Sequence, residues 1–201
     1  MGMRLSPIMR LRLVCHDDFD MTRRTSLFKA CFLIIAAMTW GVSTGSAITP
    51  KKQAERKRAP DFELKDSRGS VVRLSDYAGR VVLVDFWATW CVPCKTSMPW
   101  FNELAEKHRD AGLTVIGISI DQDGWDVVNP FIDMMRVTYP IAIATKRVTY
   151  LYGDVESVPL AFFIDRDQRV AAIHSGNAKK KDFEKIVNIL LAESAAPNPR
   201  P

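Results

Sequence analysis

The hydrophobic pattern of this chain begins with a predicted β-hairpin and a buried strand. Polar and apolar residues alternate at residues 62–65 and again at 71–74, and Asp66 and Gly69 supply turn residues between the two runs. Residues 81–86 are then almost entirely apolar. A strand that is apolar on both sides is typical of the centre of a sheet covered by helices, so we expect the middle of the fold there.

Helical and strand patterns alternate after that central strand. Helices are predicted at residues 93–110, 125–135 and 180–193, and strands at residues 113–120, 139–143, 158–165 and 169–175. The β-α-β alternation predicts parallel strands, whereas the tight turn at residues 166–168 requires an antiparallel pair. The predicted fold class is therefore α/β, a mixed central sheet with helices on both faces, preceded by an N-terminal β-hairpin extension.

The first 47 residues have the pattern of an export leader. A basic stretch ending at Lys29 precedes the uncharged run 30–42 and small residues up to Ala47, after which a signal peptidase could cut. Residues 21–47 are interpreted as a signal peptide or, because the uncharged region is long, as a membrane anchor. Residues 1–20 show no periodicity and are interpreted as an over-extended start. Either reading places the remaining domain in the periplasm.

Beyond the leader, the pattern divides the chain into three parts. Residues 48–58 are basic and lack an apolar face, which predicts a tether; residues 59–194 form the predicted domain, and the Pro-rich residues 195–201 a disordered tail. The formal net charge is +5, but much of the excess lies in residues 1–47 and the rest is nearly neutral. A nucleic-acid partner is not expected for such a domain.

Two of the four cysteines, Cys15 and Cys31, lie in the leader, so the exported part keeps only Cys91 and Cys94. A disulfide closing so short a loop would contribute little stability through chain entropy. A zinc site needs four ligands, and the few histidines do not have the required spacing, so neither a metal nor another cofactor is expected. The remaining interpretation is redox chemistry at the Cys-x-x-Cys pair.

The position of the pair suggests how it would react. Cys91 follows a buried strand and begins a helix, where the unpaired N–H groups and the helix dipole stabilise a thiolate. Cys94 lies one turn deeper and would release the mixed disulfide. Pro93 stiffens the short ring between them, and Trp90 covers the approach to Cys91.

Residues 84–95, VDFWATWCVPCK, resemble the active-site segment of thioredoxin and of the exported TlpA/ResA-like reductases. The similarity extends over about residues 59–192, including the opening segment APDFEL and an inserted strand–helix unit at residues 121–143. It implies a thioredoxin fold and a redox disulfide in which Cys91 attacks and Cys94 resolves. It also implies that Trp87, Pro93 and Lys95 frame the site.

Asp85 is a lone carboxylate in the apolar central strand. Burying such a group is costly, and burial should raise its pKa. The resemblance to thioredoxin implies that Asp85 takes the proton from Cys94 during resolution. The alternative is a carboxylate that caps N–H groups at the end of the strand.

Pro159 follows Val158 at the start of a predicted strand, where proline normally interrupts pairing. The family pattern, matched here by SVPL, implies a cis bond that faces the cysteines, with the Val158 backbone pairing with an extended substrate segment. Together with Trp90, these two residues form the expected docking surface. A trans proline at a sheet edge is the alternative.

The chain departs from the family pattern at two positions. Ser97 replaces the glutamate that TlpA/ResA-like proteins often carry three residues after the second cysteine, which argues against acid–base chemistry there. Ala161 replaces a common hydroxyl residue, and we expect no consequence for the reaction. His108 and His174 are interpreted as structural rather than catalytic.

The sequence thus predicts a monomeric, periplasmic thiol–disulfide oxidoreductase that reduces disulfides of partner proteins, with cytochrome c maturation as a candidate pathway. Such a reductant must be recharged, which implies a membrane electron donor. Two other functions remain open: a redoxin-type thiol peroxidase and a non-catalytic binding module with a thioredoxin fold.

Overall fold

The structure, a computed structural model, describes residues 48–193 and contains a five-stranded mixed sheet in the order β5-β4-β3-β6-β7. The strands of the protein are β1 (Glu63–Lys65), β2 (Val71–Arg73), β3 (Val81–Trp87), β4 (Leu113–Ser119), β5 (Ile141–Ile143), β6 (Leu160–Ile164) and β7 (Val170–Ser175). Strands β3, β4 and β5 run parallel, whereas β6 is antiparallel to both β3 and β7. The prediction of a mixed sheet is confirmed.

Strand β3 lies at the centre because both of its faces are covered. All seven of its residues are buried. Val81, Leu83 and Trp87 contribute to one hydrophobic core, and the alternate residues Val82 and Val84 contribute to a second one on the opposite side. The apolar run thus supplies two cores at once, as the sequence pattern predicts.

Helices cover both faces of the sheet, also as predicted. They are α1 (Val92–Lys107), α2 (Trp125–Met134), α3 (Lys146–Leu151) and α4 (Lys180–Ala192). Helices α1, α2 and α4 contribute to the first core, and α3 packs with the β1–β2 hairpin in the second. The predicted hairpin is confirmed by the antiparallel pairing of Leu64 with Val72, and the inserted unit by α2 and β5.

Some element boundaries differ from the predicted ones. Helix α1 begins at Val92 and ends at Lys107, because the chain turns back after His108, whose carbonyl accepts a hydrogen bond from Leu113 N. Helix α3 was not predicted from the sequence. It begins where Thr145 Oγ1 accepts a hydrogen bond from Val148 N, and with only six residues it gives little periodic signal.

The predicted tether, residues 48–58, is wrong as a description of this segment. It forms a short 3₁₀ turn at Gln53–Glu55, and its next residue, Arg56, is buried. The Arg56 guanidinium lies 3.1 Å from Asp165 Oδ2 and 2.6 Å from Glu193 Oε2. These two carboxylates, Glu193 foremost, raise the pKa of Arg56. Its partners lie more than 100 residues away, so local composition gave no sign of them.

The predicted leader, residues 1–47, and the predicted tail, residues 195–201, lie outside the described residues. Within residues 48–193, no helix combines the length and the apolar character that a bilayer span requires.

Candidate active site

Cys91 and Cys94 form a disulfide at the junction of β3 and α1, with Cα atoms 5.3 Å apart. Cys91 is the N-cap residue of α1, and its sulfur accepts a hydrogen bond from Cys94 N at 3.2 Å. A thiolate at this position would be stabilised by the same N–H group and by the helix dipole. The helix therefore provides the electrostatics that the sequence predicts for the attacking thiol.

The surroundings of the two sulfurs differ in exposure. Trp90 and Val92, on either side of Cys91, are 62% and 70% exposed. Cys94 is 1% exposed and packs in the first hydrophobic core. Cys91 itself is 3% exposed and belongs to the same core, so the two cysteines differ in the exposure of their neighbours and not in their own.

The Val158–Pro159 peptide bond is cis, as the family pattern implies. Pro159 lines a cavity of about 280 Å³ that is also lined by Pro93, in the ring between the cysteines. The alternative of a trans edge-strand proline is excluded. The cis bond therefore places Pro159 on the same cavity as the ring between the two cysteines.

Asp85 is 1% exposed and has an oxygen, Oδ2, without a hydrogen-bond partner. Desolvation raises the pKa of this carboxyl group well above its ordinary value. Asp85 lies in the middle of β3 and not at its end, so the alternative in which it caps N–H groups is not supported. Its environment is the one expected of a carboxyl that holds and releases a proton.

The neighbours of Asp85 across the sheet are small. Asp85 pairs with Gly117 on β4 and with Ala161 on β6. A Cβ atom at Gly117 would lie 2.5 Å from Ile141 Cδ1 and 3.1 Å from Trp87 Nε1, so a larger residue there would require these side chains to move. The space over Gly117 is thus filled by side chains from its neighbours, and only Ala161 leaves a small side chain beside Asp85 on the other strand.

Two buried polar groups lie on the β4 side of Asp85. Trp87 Nε1 and the Tyr139 hydroxyl both lack hydrogen-bond partners among the described residues. Burial, and secondarily the charge of Asp85, raise the pKa of Tyr139 well above its ordinary value. Tyr139 therefore stays neutral beside Asp85.

The cavity of about 280 Å³ lies on the β6 side of Asp85, between α1 and α4. Its walls include side chains from five segments of the fold: Asp85, Ser97, Trp100, Pro159, His174 and Phe183. Ser97 is buried, and its hydroxyl donates to the Cys94 carbonyl at 3.1 Å. Where TlpA/ResA-like proteins often carry a glutamate, the cavity wall therefore has the Ser97 hydroxyl instead of a carboxylate.

The three predicted frame residues are placed around the pair. Trp87 is fully buried and stacks on Phe131 of α2, with ring centroids 5.4 Å apart. Lys95 also contacts Phe131, because its Nζ lies over that ring, 5.5 Å from the ring centroid. Pro93 occupies the first turn of α1, where a missing N–H costs no hydrogen bond.

Sequence reasoning missed Asp121, which fixes the loop before Cys91. It is buried and accepts hydrogen bonds from Thr89 N, Thr89 Oγ1 and Ser119 Oγ at 2.9, 2.7 and 2.8 Å. Asp121 does not cap the following helix, since α2 has no side-chain cap. The sequence showed only that an acidic residue, Asp121, follows directly after the strand predicted at residues 113–120.

The chain resembles known proteins over most of this domain. The AhpC/TSA family model matches residues 56–173. The thiol-disulfide oxidoreductase ResA of Geobacillus kaustophilus is 31% identical over 153 residues, which is 76% of this chain and 87% of that protein. The thioredoxin-like protein YneN of Bacillus subtilis is 34% identical over 137 residues, 67% of this chain and 79% of that protein.

Solved structures show the same fold. A Chlorobium tepidum protein assigned as the thiol:disulfide interchange protein DsbE superposes with a TM-score of 0.64 and 34% identity, covering 68% of this chain and 97% of that one. A secreted thiol-disulfide isomerase of Corynebacterium glutamicum has a TM-score of 0.66 at 24% identity, covering 75% of this chain and 95% of that one. The predicted thioredoxin fold is confirmed.

The family match spans more than half of the chain, and the ResA similarity includes the segment that holds the bonded cysteines. The chain therefore belongs to the AhpC/TSA family, and within it to the ResA-like thiol–disulfide oxidoreductases with a thioredoxin fold.

Proposed function

We propose that this oxidoreductase works as a protein-disulfide reductase. Cys91 attacks a disulfide of the partner and forms a mixed disulfide with one of its sulfurs, while the other leaves as a thiol. Cys94 then attacks Cys91, its proton passes to Asp85, and the second sulfur of the partner leaves. The enzyme ends with the Cys91–Cys94 disulfide and the partner with two thiols.

The observation that carries this proposal is the asymmetry of the pair. Cys91 caps the helix and lies between two exposed apolar residues, whereas Cys94 lies within the helix. Both cysteines are buried, at 3% and 1% exposed, so the proposal assigns the attack on the partner to Cys91 because of its helix-capping position and its exposed neighbours. A buried carboxyl with a raised pKa can accept the Cys94 proton and later return it.

The docking surface in this proposal consists of Trp90, Val158 and Pro159. An extended segment of the partner would lie along the Val158 backbone, and the exposed Trp90 ring would cover it. The ring area available for such a contact is large, since Trp90 is 62% exposed.

The proposed setting is the periplasm, reached through the leader at residues 1–47 or with the chain anchored by it. The basic and apolar pattern of residues 21–47 supports export. A reductant in an oxidising compartment needs a continuing supply of electrons, so a membrane electron donor is part of the proposal. We further propose a monomer and place cytochrome c maturation first among the pathways to test.

The decisive experiment is covalent trapping with Cys94→Ala in the exporting bacterium. Without the resolving thiol, partners should stay bound to Cys91 and be released by reductant. Cys91→Ala is the matched control and should capture nothing. If the trapped partners, once released, prove to be oxidised in cells lacking the protein, the reducing direction is supported. A Cys94→Ala variant that captures nothing and does not react with the insulin disulfides would contradict the proposal.

The same variants distinguish the two other functions. A thiol peroxidase would consume hydrogen peroxide through Cys91 at a rate comparable with its disulfide chemistry. A non-catalytic binding module would restore the phenotype of a deletion strain even as Cys91→Ser. The reductase should do neither.

A further inference from the structure

His174 lies in the same row across the sheet as Asp85. Asp85 on β3 pairs with Ala161 on β6, and Ala161 pairs with His174 on β7. Residues opposite one another in adjacent strands point to the same face. Asp85 and His174 are therefore on one face, separated by a single methyl side chain.

The two residues on either side of Ala161 in this row, Asp85 and His174, face a cavity of about 280 Å³. Both Asp85 and His174 line this cavity, and the unpartnered oxygen of Asp85 is the buried polar atom on its inner wall. A cavity of this size holds several water molecules, and Asp85, Ser97 and His174 offer them polar partners. His174 is partly exposed, so its ring lies between this cavity and solvent.

The orientation of His174 suits proton transfer. Its Nε2 lies 3.0 Å from the Gly176 carbonyl oxygen, and its ring packs edge-on against Phe183 at 5.6 Å. A proton on Nε2 is donated to that carbonyl, which leaves a lone pair on Nδ1 that can accept another proton.

Among the described residues that line the cavity, only Asp85 and His174 have ionisable side chains; the others are apolar or carry a hydroxyl, an amide or an indole N–H. On the β4 side, Gly117 contributes no side chain, and the Tyr139 hydroxyl beyond it stays neutral. The exit for a proton held by the buried Asp85 is thus toward His174.

We propose that His174 exchanges the proton of Asp85 with solvent through water in this cavity, and that Ala161 keeps the passage open. This inference rests on the proposed role of Asp85. His174 would act on the sulfurs only through Asp85, so it is a positioning residue for the proton path. Two expectations from the sequence change accordingly: His174 has a function, and Ala161 has a consequence for the reaction.

In each cycle, the proton lost by Cys94 passes to the Asp85 carboxylate as the Cys91–Cys94 bond forms. Protonated Asp85 then gives that proton to cavity water, His174 accepts one from the water, and the imidazolium releases it to solvent. The departing thiolate of the partner takes up one proton from solvent, so the balance closes without a further reactant.

The test uses the two-step reaction of the reduced protein with Ellman's reagent, in the full chain with Cys15→Ser and Cys31→Ser so that only the active-site thiols react. Attack by Cys91 releases the first thionitrobenzoate, and attack by Cys94 releases the second. His174→Asn should leave the first phase unchanged near neutral pH. It should slow the second about tenfold, less than the ~10²-fold minimum typical of losing a direct acid–base group.

Added imidazole separates a proton role from a structural one. It should restore the second phase of His174→Asn in a saturable way, because a small base can enter the cavity from solvent. Ala161→Val, which keeps both titrating groups but fills the passage, should slow the second phase without such rescue. His108→Asn, a change at the other half-buried histidine outside the cavity, should behave as the parent protein.

Three outcomes would overturn the inference: a parental second phase in His174→Asn, a slow second phase that imidazole does not restore, or a parental second phase in Ala161→Val. Asp85→Asn separates this failure from that of the proposed function. If Asp85→Asn slows the second phase and His174→Asn does not, only the proton path is wrong. If Asp85→Asn is itself without effect, the proposed role of Asp85 fails as well.

Discussion

At the scale of single residues, Asp85 has an unusual relation to the stability of the protein. Its carboxyl is fully enclosed, one oxygen has no partner, and its pKa is raised well above its ordinary value by burial. A carboxyl in such surroundings lowers the free energy of unfolding at any pH at which it would ionise in the unfolded chain.

The sign of this effect follows from proton binding. At pH values below about 3.9 the carboxyl is protonated in both states and contributes no difference. As pH rises, the unfolded chain loses the proton first, because the folded pKa is higher, so the unfolded state gains stability relative to the folded state. The resulting decrease in the free energy of unfolding grows until the pH passes the pKa of Asp85 in the folded state, and it is constant above that pH.

We therefore predict that Asp85→Asn stabilises the oxidised protein more at about pH 7 than at about pH 4, because only the aspartate ionises. Urea unfolding of both proteins at the two pH values measures the difference. Asp165→Asn, which removes a carboxylate paired with Arg56, is the contrasting control and should destabilise. An equal effect of Asp85→Asn at both pH values would show that the carboxyl is not held protonated by the fold.

Residues of the site differ in how well sequence alone could identify them. Cys91, Asp85 and Pro159 could be predicted, because each lies in a short motif whose local pattern determines its surroundings. His174 and Asp121 could not be assigned a role, since their partners come from other strands and only the sheet register brings them together. Periodicity predicts on which face of the sheet a residue lies, but it does not predict which residue lies opposite it two strands away.

At the scale of elements, the active-site helix depends on the loop that leads into it. Residues Ala88 to Trp90 connect the end of β3 to the N-cap Cys91, and Asp121 holds Thr89 in this loop through both its backbone N–H and its hydroxyl. The strand β4 therefore positions the helix N-terminus, through an acidic residue just beyond its own end.

We predict that Asp121→Ala lowers the free energy of unfolding by about 1–3 kcal/mol, because it leaves buried donors at Thr89 and Ser119 without an acceptor. It should also slow the reaction of Cys91 with iodoacetamide, since the helix N-terminus is less firmly placed around the sulfur. Chemical denaturation and alkylation kinetics measure the two effects. Asp123→Ala, in the same loop but exposed, is the matched control and should change neither.

The helices illustrate why boundaries were predicted less well than the elements themselves. Helix α1 was expected because apolar residues recur at helical spacing, and this periodicity does not reveal that a return of the chain ends the helix at Lys107. Helix α3 is too short for a periodic signal and was missed. Its N-cap Thr145 is recognisable only once the strand before it is known.

At the scale of the whole molecule, Arg56 joins three distant parts of the chain. It bonds to Asp165 in the β6–β7 turn and to Glu193 after α4, and its own Nε donates to the Lys51 carbonyl at 2.9 Å. The Arg56 and Asp165 side chains are 2% and 5% exposed. Such a pair is far costlier to break than a surface ion pair.

We predict that Arg56→Met lowers the free energy of unfolding by roughly 3 kcal/mol, because Asp165 is left buried without its cation. The double variant Arg56→Met with Asp165→Asn should recover part of that loss, since no unpaired charge remains. Denaturant titrations of the single and double variants test both statements. A change at the exposed pair, Arg73→Met, should have a much smaller effect on the free energy of unfolding than Arg56→Met.

The segment that Arg56 holds also lies along the open side of β7. Lys51 N donates to Ala171 O, Val170 N donates to Lys57 O, and Arg58 forms a bridge with Arg169. At the opposite margin, Asp66 of the hairpin turn forms a bridge with Ala142 of β5. Each outer strand of the sheet thus has part of the same chain beside it.

Unpaired strand margins are the places where folded proteins recruit one another into aggregates. In this enzyme two segments that precede β3, residues 51–58 and the hairpin turn at Asp66, pair with the outer strands β7 and β5. Neither outer strand therefore has a long unpaired edge. With both margins occupied, the protein can come close to other chains that have exposed strands without adding those strands to its own sheet.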